Sequence, residues 1–294
     1  MREFVRELLD RKVLVSPDLL EKAKTKSMEE LVKLSSHSIV LTNLESRQEV
    51  EITGPIKKDK MTPADISAFY RSKFTSLKKL LELKIKPISI SKASGTFSDI
   101  EVTGIVKERN ESGFVLEDET GTLNIKYHSQ PDIGDVVAAK GFVREGVMFA
   151  KDVGYPDIPL KRRIGEAERK IVLCDRPVST QADYIFSLIE QANTTLIPNP
   201  AHIKITAGGT AMITAYKPPS PISVKEAEKL LLKRHLMISP AQIACPADSY
   251  AITEVPDVLW IASDKNEKSI YKGVLIVLSP ACMVDLSTKE VEFL

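Results

Sequence analysis

Cysteine is scarce in this chain: Cys174, Cys245 and Cys282 are an odd, scattered three with no CxxC pair. A disulfide framework and a zinc knuckle both need paired cysteines, so neither is supported, and the usage fits a reducing compartment. Excess charge is missing too. Lys and Arg number 41 against 40 Asp and Glu, a formal net charge of +1, so any affinity for nucleic acid has to come from local patches rather than a global basic field. No apolar run approaches the ~20 residues of a membrane span. The opening MREFVRELLDRK is charged from its second residue and lacks the apolar core of a signal peptide. The expectation is an intracellular, cytoplasmic protein with no membrane partner. Histidine is equally thin: His37, His128, His202 and His235 fall in four different expected elements, with no HxH or HxxxH pair to set two rings on one metal. Gly208-Gly209 in TAGGTA has no following Lys and no helix start, so it reads as a turn rather than a phosphate loop. Cys174, on an apolar run, reads as core rather than nucleophile.

What the chain does have is length and apolar content. At 294 residues and 43% hydrophobic it can bury more than one core. Residues 99–159 organise it. Ile100, Val102, Gly104 and Val106 alternate with Glu101, Thr103 and Lys107 at the period of a half-buried strand. Thr120-Gly121 divides FVLEDE from TLNIKYH, and Glu145-Gly146 divides VVAAKGFVR from VMFAKDV, both as hairpin turns. Five short antiparallel strands in about sixty residues fit a small Greek-key barrel of the OB type.

Ahead of the barrel, Phe4, Val5, Leu8 and Leu9 recur at helical spacing, Ser16-Pro17-Asp18 opens a second helix, and Ser27 with Glu30 forms a capping-box pattern before SIVLTNL, a short strand. Residues 1–44 thus read as a helical module. EVEITGPI alternates weakly and KKDK is charged, a strand leading into a linker at 45–62. From Pro63, the residues Ile66, Phe69, Tyr70, Phe74, Leu77, Leu80 and Leu81 trace one apolar helix face, while Lys73, Lys78, Lys79 and Lys84 lie off it on a solvated face. That helix and its lead-in occupy 63–98, and the barrel 99–160. In 161–294, RKIVLCDRPV reads as a buried strand, 181–192 as a short amphipathic helix, HIKI and TAMITAY as strands, and Ser223 as the cap of a helix with Val224, Ala227, Leu230 and Leu231 inward. YAITEV, VLWIAS, YKGVLIVLS and VDLSTKEVEFL complete the strands, and two strand layers with few helices suggest an α/β sandwich.

The order of these pieces, with YPDIP at 155–159, KRHL at 233–236, EVPD at 254–257 and YKG at 271–273, resembles the small (B) subunit of archaeal D-family DNA polymerases, and more distantly the B subunits of eukaryotic replicative polymerases. The resemblance runs with gaps along most of the chain. It implies an α+β multidomain protein: a small helical N-terminal module, an OB-fold β-barrel and a calcineurin-like phosphoesterase α/β sandwich, here truncated. In that family intact motifs give a 3′–5′ exonuclease with two metal ions, which needs Asp, His and Asn ligands clustered around the scissile phosphate. Here Cys174-Asp175-Arg176-Pro177 stands where Asp-x-His belongs, no GD or GNHD run follows, Ala215-Tyr216-Lys217 replaces a Tyr-His-Gly turn, and Ala262-Ser263-Asp264-Lys265 replaces Gly-His-x-His. Asp175 is the only remnant, and the expectation is no catalytic residue, no metal and no cofactor.

The resemblance thus implies a catalytically inactive accessory protein that binds the large catalytic subunit of a D-family DNA polymerase or other replication proteins. Tyr155, Pro156, Asp157, Pro159, Arg234, His235, Pro256 and Asp257 are its expected domain or subunit interface. The prolines stiffen the barrel's exit and Asp157 can turn it. Lys107, Arg109, Lys126, Tyr127, His128 and Arg144 are the candidate DNA contacts, offset by Glu101, Glu108, Glu111, Glu117, Asp118 and Glu119, so that any DNA binding is weak and the barrel is a hub first. Two alternatives remain: a freestanding OB-type single-strand-binding protein, and an exonuclease whose ligands lie elsewhere or come from a partner.

Overall fold

The computed structural model describes residues 49–56, 58–93 and 98–294. The helices expected from Arg2, Ser16 and Ser27, the SIVLTNL strand and His37 lie outside the described residues. Strand β1 (Val50–Thr53) precedes helix α1 (Pro63–Glu82) and a single turn, α2 (Ile90–Ala93). The barrel follows as β2 (Ile100–Asn110), β3 (Gly113–Asp118), β4 (Gly121–Lys126), β5 (Val136–Arg144) and β6 (Val147–Gly154). Then come β7 (Lys170–Cys174), β8 (Tyr184–Ser187), β9 (Thr195–Leu196), β10 (Ala201–Thr206) and β11 (Thr210–Tyr216), helix α3 (Val224–Lys233), and β12 (Val258–Ala262), β13 (Glu267–Tyr271), β14 (Val274–Ser279), β15 (Ala281–Asp285) and β16 (Val291–Phe293). The chain is mixed α+β, rich in strands and poor in helices. No helix among the described residues is long and apolar enough to cross a membrane.

The barrel closes in the order β2-β3-β4-β6-β5, with β4 and β6 parallel and the other pairs antiparallel, a circuit compatible with an OB-like barrel. The Glu145-Gly146 turn has positive φ at both residues, 53° and 75°, the twist that a two-residue hairpin needs. Val102, Val106, Phe114, Leu116, Leu123, Ile125, Val137 and Met148 fill the interior at alternate positions.

The rest of the strands form two sheets, β1-β10-β11-β12-β14-β13 and β16-β15-β7-β8-β9. Ile203, Ile213, Val258, Trp260 and Val277 of the first share an apolar layer with Ile171, Leu173, Phe186 and Cys282 of the second. On the first sheet's other face, Leu259, Ile261, Ile276 and Leu278 are covered by Ala227, Leu230 and Leu231 of α3 and by Phe69 of α1.

Three expectations are corrected and one is extended. Residues 181–192 are not helical: YIFS is strand β8, parallel to β7. A strand buried on both faces shows a continuous apolar run, which periodicity alone cannot tell from a helix turn. The strand expected ahead of the linker exists, but its partner is β10, with Val50 opposite Ile205 and Thr53 opposite His202, so it edges the large sheet about 150 residues away in sequence. Lys73 is not on a solvated face: it is 4% exposed. Ile66, assigned to the apolar stripe, is 42% exposed. The two errors on α1 have different causes. Lys73 lies four residues after Phe69 and four before Leu77, on the apolar stripe by helical spacing, and only its charge argued for a solvated face. Ile66 lies in the first turn, ahead of Phe69, which enters the sandwich's outer layer, and of Phe74, Leu77 and Leu81, which pack on Val136, Ala138 and Ala251.

Candidate functional site

The residues singled out in the sequence fall into three places. The first is the outer face of the barrel where β4, β6 and β5 meet. Lys126 lies opposite Phe149, Phe149 opposite Phe142, and Arg144 opposite Val147, so these side chains share one face. The Phe142 and Phe149 rings stack with centroids 5.3 Å apart and planes 9° apart, Phe142 being 40% exposed. The Lys126 ammonium sits 5.3 Å from the Phe149 centroid. Arg144 is exposed and pairs with its neighbour Glu145 at 3.4 Å. Tyr127 and His128 follow Lys126 with rings 4.3 Å apart, Tyr127 half-buried against the barrel core and His128 exposed. Lys107 and Arg109 belong to a different patch, where Glu117 meets Lys107 at 2.9 Å and Asp132 and Gln130 meet Arg109 at 3.3 and 3.1 Å.

The two phenylalanines were missed in the sequence, although hairpin arithmetic finds them. A two-residue turn at 145–146 sets 144 against 147 and therefore 142 against 149, both pointing outward.

The second place is the exit from the barrel. Asp157 takes the left-handed conformation at φ 48° and its N–H donates to Leu232 O at 2.9 Å. Its carboxylate accepts from Tyr271 Oη at 3.0 Å and pairs with Lys272, while Lys84 donates to Pro156 O. Pro156 is buried and Pro159 exposed. Burial and the Asp157 contact push the Tyr271 hydroxyl's pKa up. Tyr155 Oη donates to Asp135, which with Asp132 holds Lys233 of α3 at 3.0 and 2.7 Å. Arg234 terminates α3 in the left-handed region at φ 54° and donates to Ile252 O and Thr253 O. The His235 ring contacts Asp248 at 3.1 Å, both side chains buried, and burial pulls its pKa down, so it is neutral at neutral pH. Asp257, 3% exposed, accepts from Arg162 at 2.9 Å and from the N–H groups of Gly165 and Met212, while Arg162 also donates to the carbonyl of buried Pro256. Seven of the eight expected interface residues lie at contacts within this chain, among the barrel, α1, α3 and the large sheet, and Pro159 stands exposed.

The third place surrounds Asp175, just past the carboxyl end of β7. Its Oδ2 is 2.7 Å from Lys217 Nζ, at the end of β11, and its Oδ1 is buried without a hydrogen-bond partner among the described residues. Asn199 clamps Lys217 by a reciprocal pair, accepting from its N–H at 2.9 Å and donating to its carbonyl at 2.8 Å. Cys174 next door accepts from Gln191 at 3.1 Å, and burial pushes its thiol pKa up, as it does for Cys282, to about 12, so neither is a thiolate at neutral pH. His202 is bound to Thr214 and Ser249, far along β10. Among the described residues no three His, Cys, Asp or Glu side chains converge as a metal site would require. Ligand pockets in open sheets form beyond the carboxyl ends of parallel strands; at this corner the described residues bring the Asp175 carboxylate together with the Lys217 ammonium. No protein-family model matches the chain, and no curated protein matches it either.

Proposed function

We propose that this chain is a non-hydrolytic accessory protein, similar to the small subunit of a D-family DNA polymerase, that acts as a scaffold in DNA replication or repair and binds the large catalytic subunit. The observation that carries the proposal is the Asp175–Lys217 pair. A carboxylate that would bridge a metal is instead neutralised by a lysine clamped by Asn199, and a two-metal phosphoesterase needs that carboxylate free and several partners around it. The barrel, α1 and the sandwich, joined by the contacts of Asp157, Lys233 and Asp257, supply a platform. The test is incubation of the purified protein with manganese and single-stranded DNA. No degradation is expected, together with co-purification of the polymerase large subunit; nuclease activity that disappears in Asp175→Ala overturns the reading.

A second reading, a single-strand-binding module, draws on the Phe142–Phe149 stack beside Lys126 and Arg144, because aromatic platforms flanked by cations bind bases by stacking and phosphates by charge. Fluorescence titration with oligothymidine separates the two. Binding that falls about tenfold in Phe142→Ala and weakens steeply with salt favours this reading.

A further inference from the structure

A cavity of about 300 Å³ opens between α1, the barrel loop around 132–135, α3 and the segment at 237–240. Lys73 of α1 lines it. That side chain is 4% exposed, yet among the described residues it makes no hydrogen bond and no ion pair, which is unusual for a buried cation. The carboxylates that face it are already engaged. Asp248 bonds His235 and the Tyr250 N–H, and Asp135 bonds Lys233, the Tyr155 hydroxyl and the Asp132 N–H. Asp132 is held by Lys233 and Arg109. Glu226 closes the capping box of α3, accepting from the N–H and hydroxyl of the Ser223 cap. Lys229 stands exposed at the mouth, without an ion pair within bonding distance among the described residues. The neutral His235 completes the polar lining. The remaining wall is apolar, with Ile222, Leu230 and Met237 inside and Ile133 and Ile238, 65% and 42% exposed, on the rim.

We infer that this cavity binds a small monocarboxylate on a short apolar stem, its carboxylate on the Lys73 ammonium and its stem against Ile133, Ile222, Met237 and Ile238. The lone buried ammonium supplies the attraction that fixes one end of such a ligand, and the apolar wall supplies the rest. Charge selects against larger anions: Asp132, Asp135 and Glu226 offset Lys73, Lys229 and Lys233 on the lining, and Asp248 stands behind Lys73, so a multiply charged phosphate or nucleotide meets more repulsion than a single carboxylate seated on the ammonium. The volume, at the lower end of ligand pockets, admits a molecule of a few carbons. Burial also holds the unliganded Lys73 pKa down to about 8. A bound carboxylate favours the charged amine, so near pH 8 binding draws in protons.

The test uses the full chain and the probes acetate, butanoate, hexanoate and the uncharged hexanol, followed by calorimetry at pH 8 in two buffers of different ionisation enthalpy. Hexanoate is expected to bind about tenfold or more tighter than acetate, since each buried CH₂ is worth about fourfold in affinity. It should take up part of a proton, and hexanol should not bind. Lys73→Met keeps the length of the side chain and removes an unpaired buried charge, so it is expected to fold and to melt no lower than the parent, while losing hexanoate affinity about tenfold or more and losing the proton uptake. Ile133→Ser, on the exposed rim, is expected to narrow the hexanoate preference with the fold intact. Equal hexanoate affinity in the parent and Lys73→Met, no gain with chain length, or a lower melting temperature for Lys73→Met that marks the lysine as a structural prop, each overturns the inference.

Discussion

Buried bases set opposite ends of this protein's stability against pH. His235, with its ring on Asp248 inside the fold, has its pKa lowered by burial, as has His202. Below about 6.5, the ordinary histidine value, the unfolded chain binds protons that the native one resists, so stability is full above that pH and is lost as pH falls through it. Lys73 works at the alkaline end. Its pKa is lowered from 10.5 to about 8, first by burial. Between those values the unfolded chain again holds the extra proton, so stability rises across the window, by at most about 1.4 kcal/mol for each pH unit crossed. Tyrosine hydroxyls with raised pKa, such as Tyr155 and Tyr271, pull the other way at high pH. The clean measurement is therefore the difference in urea stability between the parent and Lys73→Met, which should shrink steadily from pH 8 to 10.5 and be constant below pH 7. A difference independent of pH would mean that the lysine is not charged and unpaired in the fold.

At the scale of elements, local chemistry was legible and long-range partnership was not. Helix α3 shows the legible case: Ser223 Oγ accepts from the Glu226 N–H at 3.3 Å while Glu226 accepts from the Ser223 N–H at 2.7 Å, a box visible in the sequence as S-x-x-E. Ser223→Ala is expected to cost about 1 kcal/mol, read from chemical denaturation, because it strands one N–H of the first turn. A change under a few tenths would show that packing on the sheet alone holds the helix. The barrel was legible for the same reason, since alternation and Gly-bearing turns act within a few residues. Strand β8 was not, because its YIFS run is apolar on both faces and carries no period. The burial of Lys73 was legible in spacing, since it stands four residues from both Phe69 and Leu77, but its charge pointed the other way. At the barrel face the sequence yielded Lys126 and Arg144 by residue type but not the Phe142–Phe149 stack, which exists only once the register across Glu145-Gly146 is counted. The Lys217 partner of Asp175 is a contact over 42 residues between the ends of two strands in different sheets, beyond the reach of any local pattern.

For the whole molecule the question is whether barrel and sandwich behave as one body. Helix α1 enters both, Phe69 in the outer layer of the sandwich and Phe74, Leu77 and Leu81 against β5 and its surroundings. Asp157 clamps the exit of the barrel to Tyr271 and Lys272 on the β13–β14 hairpin and to the last turn of α3, and Lys233 reaches back to Asp132 and Asp135. Contacts this dense make unfolding of one part expose apolar surface of the other, which is the physical basis of a single cooperative transition. The lone tryptophan allows the coupling to be measured. Trp260 is fully buried between the two sheets and bonded to Ser279, so its fluorescence follows the sandwich, whereas far-ultraviolet circular dichroism follows barrel and sandwich together. In the parent the two thermal curves should coincide. Asp157→Ala removes the acceptor shared by Tyr271 and Lys272 and leaves a left-handed turn to a residue that tolerates it poorly. The barrel should then melt first, the dichroism falling several degrees before the tryptophan signal, as a loss of about 1–3 kcal/mol at the junction implies. Coincident curves at an unchanged midpoint in Asp157→Ala would place the coupling in α1 alone, and the matching truncation, Phe69→Ala, would then be the change that separates the two signals.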